Sequence, residues 1–409
     1  MRTPTGPGVR IAARARSVTD PPIAIFKERH RDHLAGRDLI DLSQAVPSYP
    51  PPPPVSDTIA AMAWNPAAHL YSPDPGLPEC RGAIAAYLRT RHGARVTAEQ
   101  VLVTPGANAA FHFAAAVLLD PGERAALLSP YYFNHGMSIE LLGAVSCEIP
   151  WRDALPLDAV SRSGARVLVL VSPGNPTGRA LSAEEIEGVL AWARRRDVTL
   201  VIDETYLEFP PRGDGSVTTM AVSGWEECAV VLGSFSKSLA VTGHRVGYLC
   251  GTRELVREAL KVQDSVVICA PRMGQLAVTA ALGWSGLDAW LGERRAEIDA
   301  RVTAFTTAMA EGPGAFTVEH SGAFFAWLRH GPVDAERLRS RLQAFGHYHE
   351  RFPDGDLVAD LLVHEARVLA LPGNSAGVLG TERVRVAVGN AAPDRLREAA
   401  RRIQGTALG

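Results

Sequence analysis

The chain has 409 residues, with 42 basic and 44 acidic side chains, a net charge of −2 and 46% hydrophobic residues. This composition is typical of a soluble globular protein that is long enough for two domains. No excess of basic charge would attract nucleic acid or an anionic membrane surface. The five cysteines are scattered without a C-x-x-C pair, which favours reduced thiols over disulfides or a structural zinc site. We therefore expect a cytoplasmic protein whose partners are neither nucleic acid nor membrane.

The N-terminal region differs in composition from the rest of the chain. Its first nineteen residues contain four arginines, no acidic residue, and prolines and glycines that interrupt a helix. This pattern predicts a disordered arm, and no apolar signal-peptide core or 18-residue apolar span accompanies it. The tract YPPPPP at 49–54 predicts a rigid connector that forms neither a helix nor a central strand.

Six short apolar runs follow this tract and predict strands. They are VLVT at 101–104, AALLS at 125–129, ARVLVLVS at 165–172, VTLVID at 198–203, AVVLGS at 229–234 and VGYLC at 246–250. They are apolar continuously, as strands covered on both faces are. Helical patterns lie between several of them, and the one at 182–197 opens with a serine and first-turn glutamates. The alternation predicts an α/β fold with a mostly parallel central sheet covered by helices on both faces.

The C-terminal part of the sequence has a different organisation. Residues 286–311 resemble one long helix, and shorter elements follow, up to VRVAVGN and a final helix from Pro393. We expect a large domain at 51–300 and a smaller α/β domain at 301–409. Residues 1–50 are expected to form an arm that contributes to the smaller domain.

Candidate ligand-binding residues lie where five of the predicted strands end. They are Ala107 and Asn108 after the first strand, Tyr132 after the second, Asn175 after the third, Asp203 at the end of the fourth and Lys237 after the fifth. In open parallel sheets, ligands bind beyond the carboxyl ends of the strands. These residues are therefore predicted to line one crevice.

The segment TPGANAAF at 104–111 is a glycine turn that opens onto an alanine-rich helix. A helix N-terminus presents free N–H groups and a partial positive charge, which suits a phosphate. Ser234, Ser236 and Arg245 can add hydroxyl donors and a guanidinium to the same anion. Taken alone, this segment fits an ordinary strand-to-helix turn better than a phosphate site, Asp203 fits a helix N-cap better than a ligand contact, and SPGNPTG at 172–178 fits a loop.

Lysine is rare in this chain, since Lys27, Lys237 and Lys261 are the only lysines among 42 basic residues. Arginine serves as well as lysine in ion pairs and phosphate sites, but it does not lose its proton and attack a carbonyl. A desolvated lysine can do so and form a Schiff base with an aldehyde. We therefore favour imine chemistry for Lys237 over a phosphate-binding point charge.

Several motifs occur together in one order along the chain. They are Y-x-P-x-x-G at 71–76, TPGANAA, SPGNPTG, DETY, SFSK with an arginine eight residues after the lysine, and VRVAVG. The ordered set resembles the fold-type I pyridoxal-phosphate enzymes, and most closely the class I and II aminotransferases. The resemblance spans residues 42–388.

The resemblance implies pyridoxal 5'-phosphate as the cofactor. Lys237 matches the lysine that binds the cofactor aldehyde and shuttles the substrate proton. Asp203 matches the acid that keeps the pyridine nitrogen protonated. Asn175 and Tyr206 match the donors to the phenolic oxygen of the ring, and Tyr132 matches the aromatic residue that stacks on it.

Further roles are carried over by the same resemblance. The residues that match the phosphate site are Ala107, Asn108, Ser234, Ser236 and Arg245. Tyr71 matches a tyrosine that reaches the phosphate of a neighbouring subunit, which implies a homodimer with shared sites. Arg385, with Asn175 beside it, matches the group that binds the substrate carboxylate.

Two positions depart from the family pattern. Ala45, in LSQAVP, stands where glycine is frequent and is expected to narrow the space beside the substrate. Ala376, in LPGNSAG, stands where an aromatic residue is common and is expected to widen another wall. No second arginine can be assigned to an acidic substrate side chain, which argues against an aspartate or glutamate specialist. Tyr131, Tyr132 and Phe133 fit either an apolar substrate or the cofactor alone.

The sequence predicts a pyridoxal-phosphate-dependent aminotransferase that acts on an amino acid and a 2-oxo acid. A lyase or synthase of the same fold, acting by elimination, replacement or cyclisation, is the alternative. It is favoured by G-L-P-E-x-R at 76–81, which also occurs in synthases acting on S-adenosylmethionine. A non-enzymatic DNA-binding regulator is a third hypothesis, disfavoured because the arm has no room for a helix-turn-helix. No metal is expected, since HYHER at 347–351 fits a solvated loop better than a metal site.

Overall fold

The computed structural model describes residues 9–34, 38–212, 217–312, 314–345 and 356–408. The strands over these residues are β1 Ile40–Asp41, β2 Val101–Thr104, β3 Arg124–Ser129, β4 Val145–Pro150, β5 Val167–Val171, β6 Thr199–Asp203, β7 Ala229–Ser234, β8 Gly247–Cys250, β9 Phe316–Gly322, β10 Phe325–His330, β11 Val368–Leu369, β12 Leu371–Pro372 and β13 Arg383–Ala387. The helices are α1 Ala13–Ser17, α2 Pro22–Arg29, α3 Arg31–Leu34, α4 Pro53–Met62, α5 Pro78–His92, α6 Ala107–Leu118, α7 Phe133–Leu141, α8 Leu157–Ser163, α9 Ala183–Arg196, α10 Phe235–Ser238, α11 Arg253–Val267, α12 Arg272–Leu282, α13 Leu287–Glu311, α14 Ala335–Gln343, α15 Leu357–Leu361 and α16 Pro393–Gln404. Among the helices so described, none is both long enough and apolar enough to cross a bilayer.

The central sheet has the strand order β2-β8-β7-β6-β5-β3-β4. Every neighbouring pair is parallel except the two pairs that include β8. The predicted strands are confirmed, as is the mostly parallel sheet. The sequence analysis missed β4, because this edge strand alternates between exposed and buried side chains and has no continuous apolar run.

Core packing on both faces explains the continuous apolar runs. On β5 and β6, Leu168 and Leu200 belong to one hydrophobic cluster, whereas Val169 and Val201 belong to another on the opposite face. The first cluster also contains side chains of α5, α9 and α12. The second contains side chains of α6 and α11. The prediction of helices on both faces is therefore confirmed.

The remaining strands form two smaller sheets. One is antiparallel with the order β12-β13-β10-β9, and in the other β1 pairs in parallel with β11. Phe26, Ile40 and Leu42 of the N-terminal segment share a core cluster with residues from 305 onward. The long helix α13 enters both cores, with Ile298 in the first cluster and Phe305 in this one. The boundary near residue 300 falls inside this helix, and the domain division stays a prediction.

Two predictions about the N-terminal region are wrong. Within the stretch predicted to be disordered, α1 is helical without any buried side chain, because ARARS contains strong helix formers beyond the last proline of that stretch. The proline tract does enter a helix, since Pro53 and Pro54 form the first turn of α4. First-turn amides have no intrahelical acceptor, so a proline loses nothing there. The HYHER run lies outside the described residues.

A close backbone contact brings the start of α6 against the sheet. Gly106, with a φ of +86°, lies directly against Gly247 at the start of β8. A Cβ on Gly247 would lie 2.7 Å from the Gly106 carbonyl carbon and 2.8 Å from the Gly233 oxygen. Only glycine at 247 leaves this space free.

We expect Gly247→Ala to lower the free energy of unfolding by about 1–3 kcal/mol, because the added methyl group meets backbone atoms that have no freedom to move. The matched control is Gly188→Ala on the exposed face of α9, where a Cβ meets no atom within 4 Å. That variant is expected to gain about 0.5–1 kcal/mol. Urea denaturation measures both values, and equal changes in the two variants would contradict the packing described.

Candidate active site

A cavity of about 460 Å³ opens beyond the carboxyl ends of the central strands. It brings together twelve of the thirteen residues that the sequence analysis proposed for the site. These are Ala45, Ala107, Asn108, Tyr132, Asn175, Asp203, Tyr206, Ser234, Ser236, Lys237, Arg245 and Arg385. Sheet register places Asp203 between Val171 and Leu232, so its side chain stands near the middle of the crevice.

Tyr71 is the residue that lies elsewhere. Its side chain is 74% exposed, and its carbonyl accepts a hydrogen bond of 2.9 Å from Arg272 Nη1. It is outside the lining of the cavity in its own chain. This position is compatible with a residue that acts on a neighbouring subunit, and that role stays a prediction.

One end of the cavity is built to bind an anion. Helix α6 begins there with Gly106 as its N-cap and no capping side chain, so its first-turn N–H groups face the cavity. The buried Ser234 and Ser236 hydroxyls lie 2.9 Å apart at the same end. The two hydrogen bonds of Arg245 go to the carbonyls of Thr242 and Pro105, at 2.9 and 3.2 Å, which leaves its charge available to an anion.

A buried carboxylate lies at the floor of the cavity. Asp203 is 5% exposed, and its Oδ1 accepts a hydrogen bond of 2.9 Å from the Thr205 amide. Its Oδ2 lies 3.4 Å from His135 Nε2. A buried carboxylate requires a cationic or N–H partner. Because Asp203 also lines the cavity, its carboxylate can accept a further hydrogen bond from a ligand bound there. A protonated ring nitrogen meets that requirement.

Lys237 projects into the cavity from α10, directly after β7. Its Nζ donates a hydrogen bond to the Ala45 carbonyl. Burial disfavours the charged amine, and the guanidinium groups of Arg385 and Arg245 repel it further, which lowers the pKa of Lys237 to about 8. The amine is therefore more often neutral, and so more nucleophilic, than an exposed lysine.

Arg385 lies on β13, lines the same cavity as the lysine and is 3% exposed. Its Nη1 donates to Asn175 Oδ1 at 3.0 Å, its Nη2 donates to the Ser43 carbonyl, and its Nε has no partner among the described residues. Burial lowers its pKa to about 10. A buried guanidinium without an acidic partner among the described residues is suited to a carboxylate, which it can bind with two parallel hydrogen bonds.

Burial raises the pKa of both Tyr132 and Tyr206, so both phenols stay protonated and remain hydrogen-bond donors. The Tyr132 hydroxyl accepts a hydrogen bond of 2.8 Å from Asn134 Nδ2. The cavity thus combines an anion site, a buried acid, an amine with a lowered pKa and a carboxylate-binding arginine. Together these groups fit pyridoxal phosphate and an amino acid.

Comparison with known proteins agrees with this arrangement. The sequence pattern of the family described as aminotransferase class I and II matches residues 37–403. The chain belongs to this family. Class I and II aminotransferases are pyridoxal-phosphate enzymes of fold type I, so the predicted fold and the predicted amino-group transfer are confirmed.

Individual relatives are aminotransferases as well. The chain is 30% identical to an aspartate aminotransferase of Streptomyces avermitilis over 392 residues, 93% of each chain. It is 34% identical to a valine–pyruvate aminotransferase of Mycobacterium tuberculosis over 62% of this chain and 66% of that one. The solved structure of aspartate aminotransferase from Thermus thermophilus with maleate has the same fold, with a TM-score of 0.83, 24% identity and coverage of 97% and 99%. These relatives favour transamination over the lyase, synthase and regulator alternatives.

The aminotransferase cavity also contains residues that the sequence analysis did not name. They are Ile23, Gln44, Val46, Val171, Thr205, Thr242 and Gly243. Behind Asp203, His135 is 1% exposed and stacks on Phe111 with 4.1 Å between ring centroids. No motif marks His135, and its only signal is a histidine in the first turn of the helix that follows the second predicted strand.

Ala376 is placed differently from the expectation. It lies beside Asn175 and Arg385 in a packed crevice outside the main cavity. Its carbonyl accepts a hydrogen bond of 3.0 Å from the Tyr131 amide. The small side chain at 376 therefore does not widen the wall of the main cavity in the aminotransferase. Ala45 does line it, as expected.

We expect Arg385→Gln to raise the pKa of Lys237 above about 8 in the cofactor-free aminotransferase, because the substitution removes a positive charge that disfavours the protonated amine. The measurement is the pH dependence of Lys237 modification by an amine-selective reagent, followed by peptide mass spectrometry. Arg329→Gln, at an exposed position on β10, is the control and leaves the titration unchanged. A pKa that stays the same or falls in Arg385→Gln would refute the charge coupling.

Proposed function

We propose that this aminotransferase binds pyridoxal 5'-phosphate in the cavity and moves an amino group from an amino acid to a 2-oxo acid there. The observation that supports this most strongly is the position of Lys237. Its amine, with a pKa of about 8, shares one cavity with the anion site at α6 and with Arg385. An aldehyde phosphate and an amino acid carboxylate therefore both have binding groups near one nucleophile.

The cofactor, when bound, supplies an aldehyde that reacts with amines and a protonated ring that accepts electrons. The residues around it have separate tasks. Ser234, Ser236 and Arg245 bind the phosphate together with the first-turn amides of α6. Asp203 accepts a hydrogen bond from the ring nitrogen and keeps it protonated. His135 lies behind Asp203 and fixes the carboxylate that makes this contact.

The ring has further contacts in the proposed complex. Tyr132 would hold one face of it, and the neutral phenol of Tyr206 would donate a hydrogen bond to its phenolic oxygen. Asn175, which follows β5 and lines the cavity, would donate to the same oxygen. These contacts hold the ring while the substrate exchanges, because each comes from a different strand end of the sheet.

Lys237 acts as the proton carrier at the substrate α-carbon. With its pKa lowered to about 8, the cofactor-free amine is neutral more often at pH 7 than that of an exposed lysine. The neutral amine takes the α-proton and returns it. Arg385 binds the α-carboxylate, which aligns the Cα–H bond with the amine.

The proposed active unit is a homodimer in the cytoplasm. Trp64, Leu70 and Tyr71 are 93%, 64% and 74% exposed within eight residues of sequence. Large apolar side chains exposed this closely together favour a covered surface, and Tyr71 would then face the site of the second subunit. All five cysteines are free thiols, which supports a reducing compartment.

The direct experiment supplies single donor amino acids, without an oxo acid, to the holoenzyme. We expect at least one donor to convert the bound cofactor stoichiometrically to its aminated form, with release of the matching 2-oxo acid. Absorbance and mass spectrometry measure the two products. If no donor in a panel of the common amino acids gives the conversion, the proposed function is wrong.

A second experiment compares two lysines. We expect Lys237→Ala to lose the visible absorbance of the bound cofactor and to lower turnover by about 10³-fold or more, because both the cofactor link and the proton carrier are removed. Lys261→Ala, at an exposed lysine paired with Glu258 on α11, is the matched control and keeps both signals. Full activity in Lys237→Ala would contradict the role given to this amine.

A further inference from the structure

One wall of the cavity has no part in the roles assigned so far. It is formed by Ile23, from α2, and by Gln44 and Val46, which flank Ala45. Among the described residues, the cations that line the cavity are Lys237, Arg245 and Arg385. The proposed function uses them for the amine, the phosphate and the α-carboxylate. The described residues of this chain therefore bring no further charge to the wall that remains for the substrate side chain, and Ile23 and Val46 give that wall two apolar side chains.

Helix α2 turns one face toward the interior of the protein. Ile23, Phe26 and His30 follow the spacing i, i+3 and i+7, which places them on the same side of the helix. Ile23 lines the cavity, Phe26 is 2% exposed in a core cluster, and His30 is 2% exposed. Only Ile23 of these three reaches the cavity, at the first turn of the helix.

Buried ion pairs hold the C-terminal end of α2. Arg29 Nη1 donates to both carboxylate oxygens of Asp360 at 2.9 Å, and its Nη2 donates to Asp356 Oδ2 at 2.8 Å. His30 Nε2 lies 2.8 Å from Asp360 Oδ1. Asp356 is the N-cap residue of α15, and Asp360 lies one turn later on it. We refer to Arg29, His30, Asp356 and Asp360 as the α2 clamp.

The clamp also connects α2 to the arginine that binds carboxylate. Asn374 Nδ2 donates to Asp356 Oδ1 at 3.0 Å from the turn that follows β12. Helix α2 packs against β12, in which Leu371 pairs with Arg385 of β13. The clamp therefore sets the position of Ile23 relative to Arg385, across the space that a substrate side chain would occupy.

We propose that Ile23 is a specificity-determining residue that selects donor amino acids with uncharged, apolar side chains, and that the α2 clamp is its positioning element. The inference rests on the proposed function and adds a substrate class to it. With the α-carboxylate on Arg385, the side chain of the donor packs against Ile23 and Val46. An acidic side chain would lose its hydration there without gaining a cationic partner from this chain.

The first test measures selectivity in two ways on the holoenzyme. We expect kcat/KM for leucine to exceed that for aspartate by at least about tenfold, the discrimination typical of a hydrophobic pocket. We also expect the inert acid 4-methylpentanoate to bind more tightly than succinate in calorimetric titrations. A preference for aspartate and succinate in both measurements would overturn the inference while leaving the proposed function intact. Failure of every donor would instead reject the proposed function.

The second test changes Ile23. Ile23→Ala is expected to weaken 4-methylpentanoate binding by about tenfold, because the apolar wall loses three carbon atoms, and to leave cofactor affinity unchanged. Ile23→Arg is expected to shift the ratio of aspartate to leucine kcat/KM toward aspartate by tenfold or more. Ile25→Ala, at the 39% exposed position on the same helix, is the matched control and changes neither. An Ile23→Ala enzyme with unaltered 4-methylpentanoate affinity would refute the role of Ile23.

The third test asks whether the clamp acts through Ile23. Asp360→Asn and the milder Arg29→Lys, which keeps the charge but loses the fork geometry, are expected to weaken 4-methylpentanoate binding about fivefold and threefold. In the Ile23→Ala background, the same two substitutions should have less than a twofold effect, because the contact that they position is already lost. Equal effects in both backgrounds would show that the clamp supports the fold alone. If Asp360→Asn does not fold, Arg29→Lys decides the question.

Discussion

The site depends on one buried amine, that of Lys237, whose pKa is lower than that of an exposed lysine. Burial and repulsion by the guanidinium groups of Arg385 and Arg245, which line the same cavity, together lower the pKa of Lys237 to about 8. Both arginines bind anions in the proposed complex, so each anion that enters weakens the repulsion on the amine. The two guanidinium groups that lower the pKa of the amine are thus also the groups that bind the phosphate and the carboxylate in the proposed complex.

The fold supplies this arrangement through its sheet. Parallel strands bring their carboxyl ends to one edge, which is why Asn175, Asp203 and Ser234 meet although they are far apart in sequence. The glycine pair at 106 and 247 lets the start of α6 approach the same edge. Arg385 lies on β13, in a different sheet from β7, which precedes Lys237. The packing of β13 against the central sheet therefore determines the distance between the guanidinium and the amine.

Much of this could be predicted from the sequence because the signals are local. The strands buried on both faces have unbroken apolar runs. Once the end of each strand is located, the residues that follow it are predicted to line the crevice. The edge strand β4 was missed because one of its faces is exposed and its pattern alternates. The start of α4 was missed because prolines in the first turn read as a helix breaker although they are tolerated there.

The contacts that could not be predicted depend on long-range packing. His135 meets Asp203 only because α7 lies beside α6 and its ring stacks on Phe111. Ile23 reaches the cavity because α2 is held by carboxylates more than 300 residues away. Nothing in the sequence near either residue marks it, since the partner in each case lies on another element. Sequence motifs therefore predict the main binding residues of the site, but not the residues that long-range packing adds to it.

The measurement that tests the central claim most directly is the identification of the cofactor attachment point. The protein is incubated with pyridoxal phosphate, reduced with borohydride and digested, and the labelled peptide is sequenced by mass spectrometry. The account predicts one label per chain, on Lys237, with Lys27 and Lys261 unmodified. A label on either of those lysines instead, or no label under conditions where the protein is folded, would contradict it.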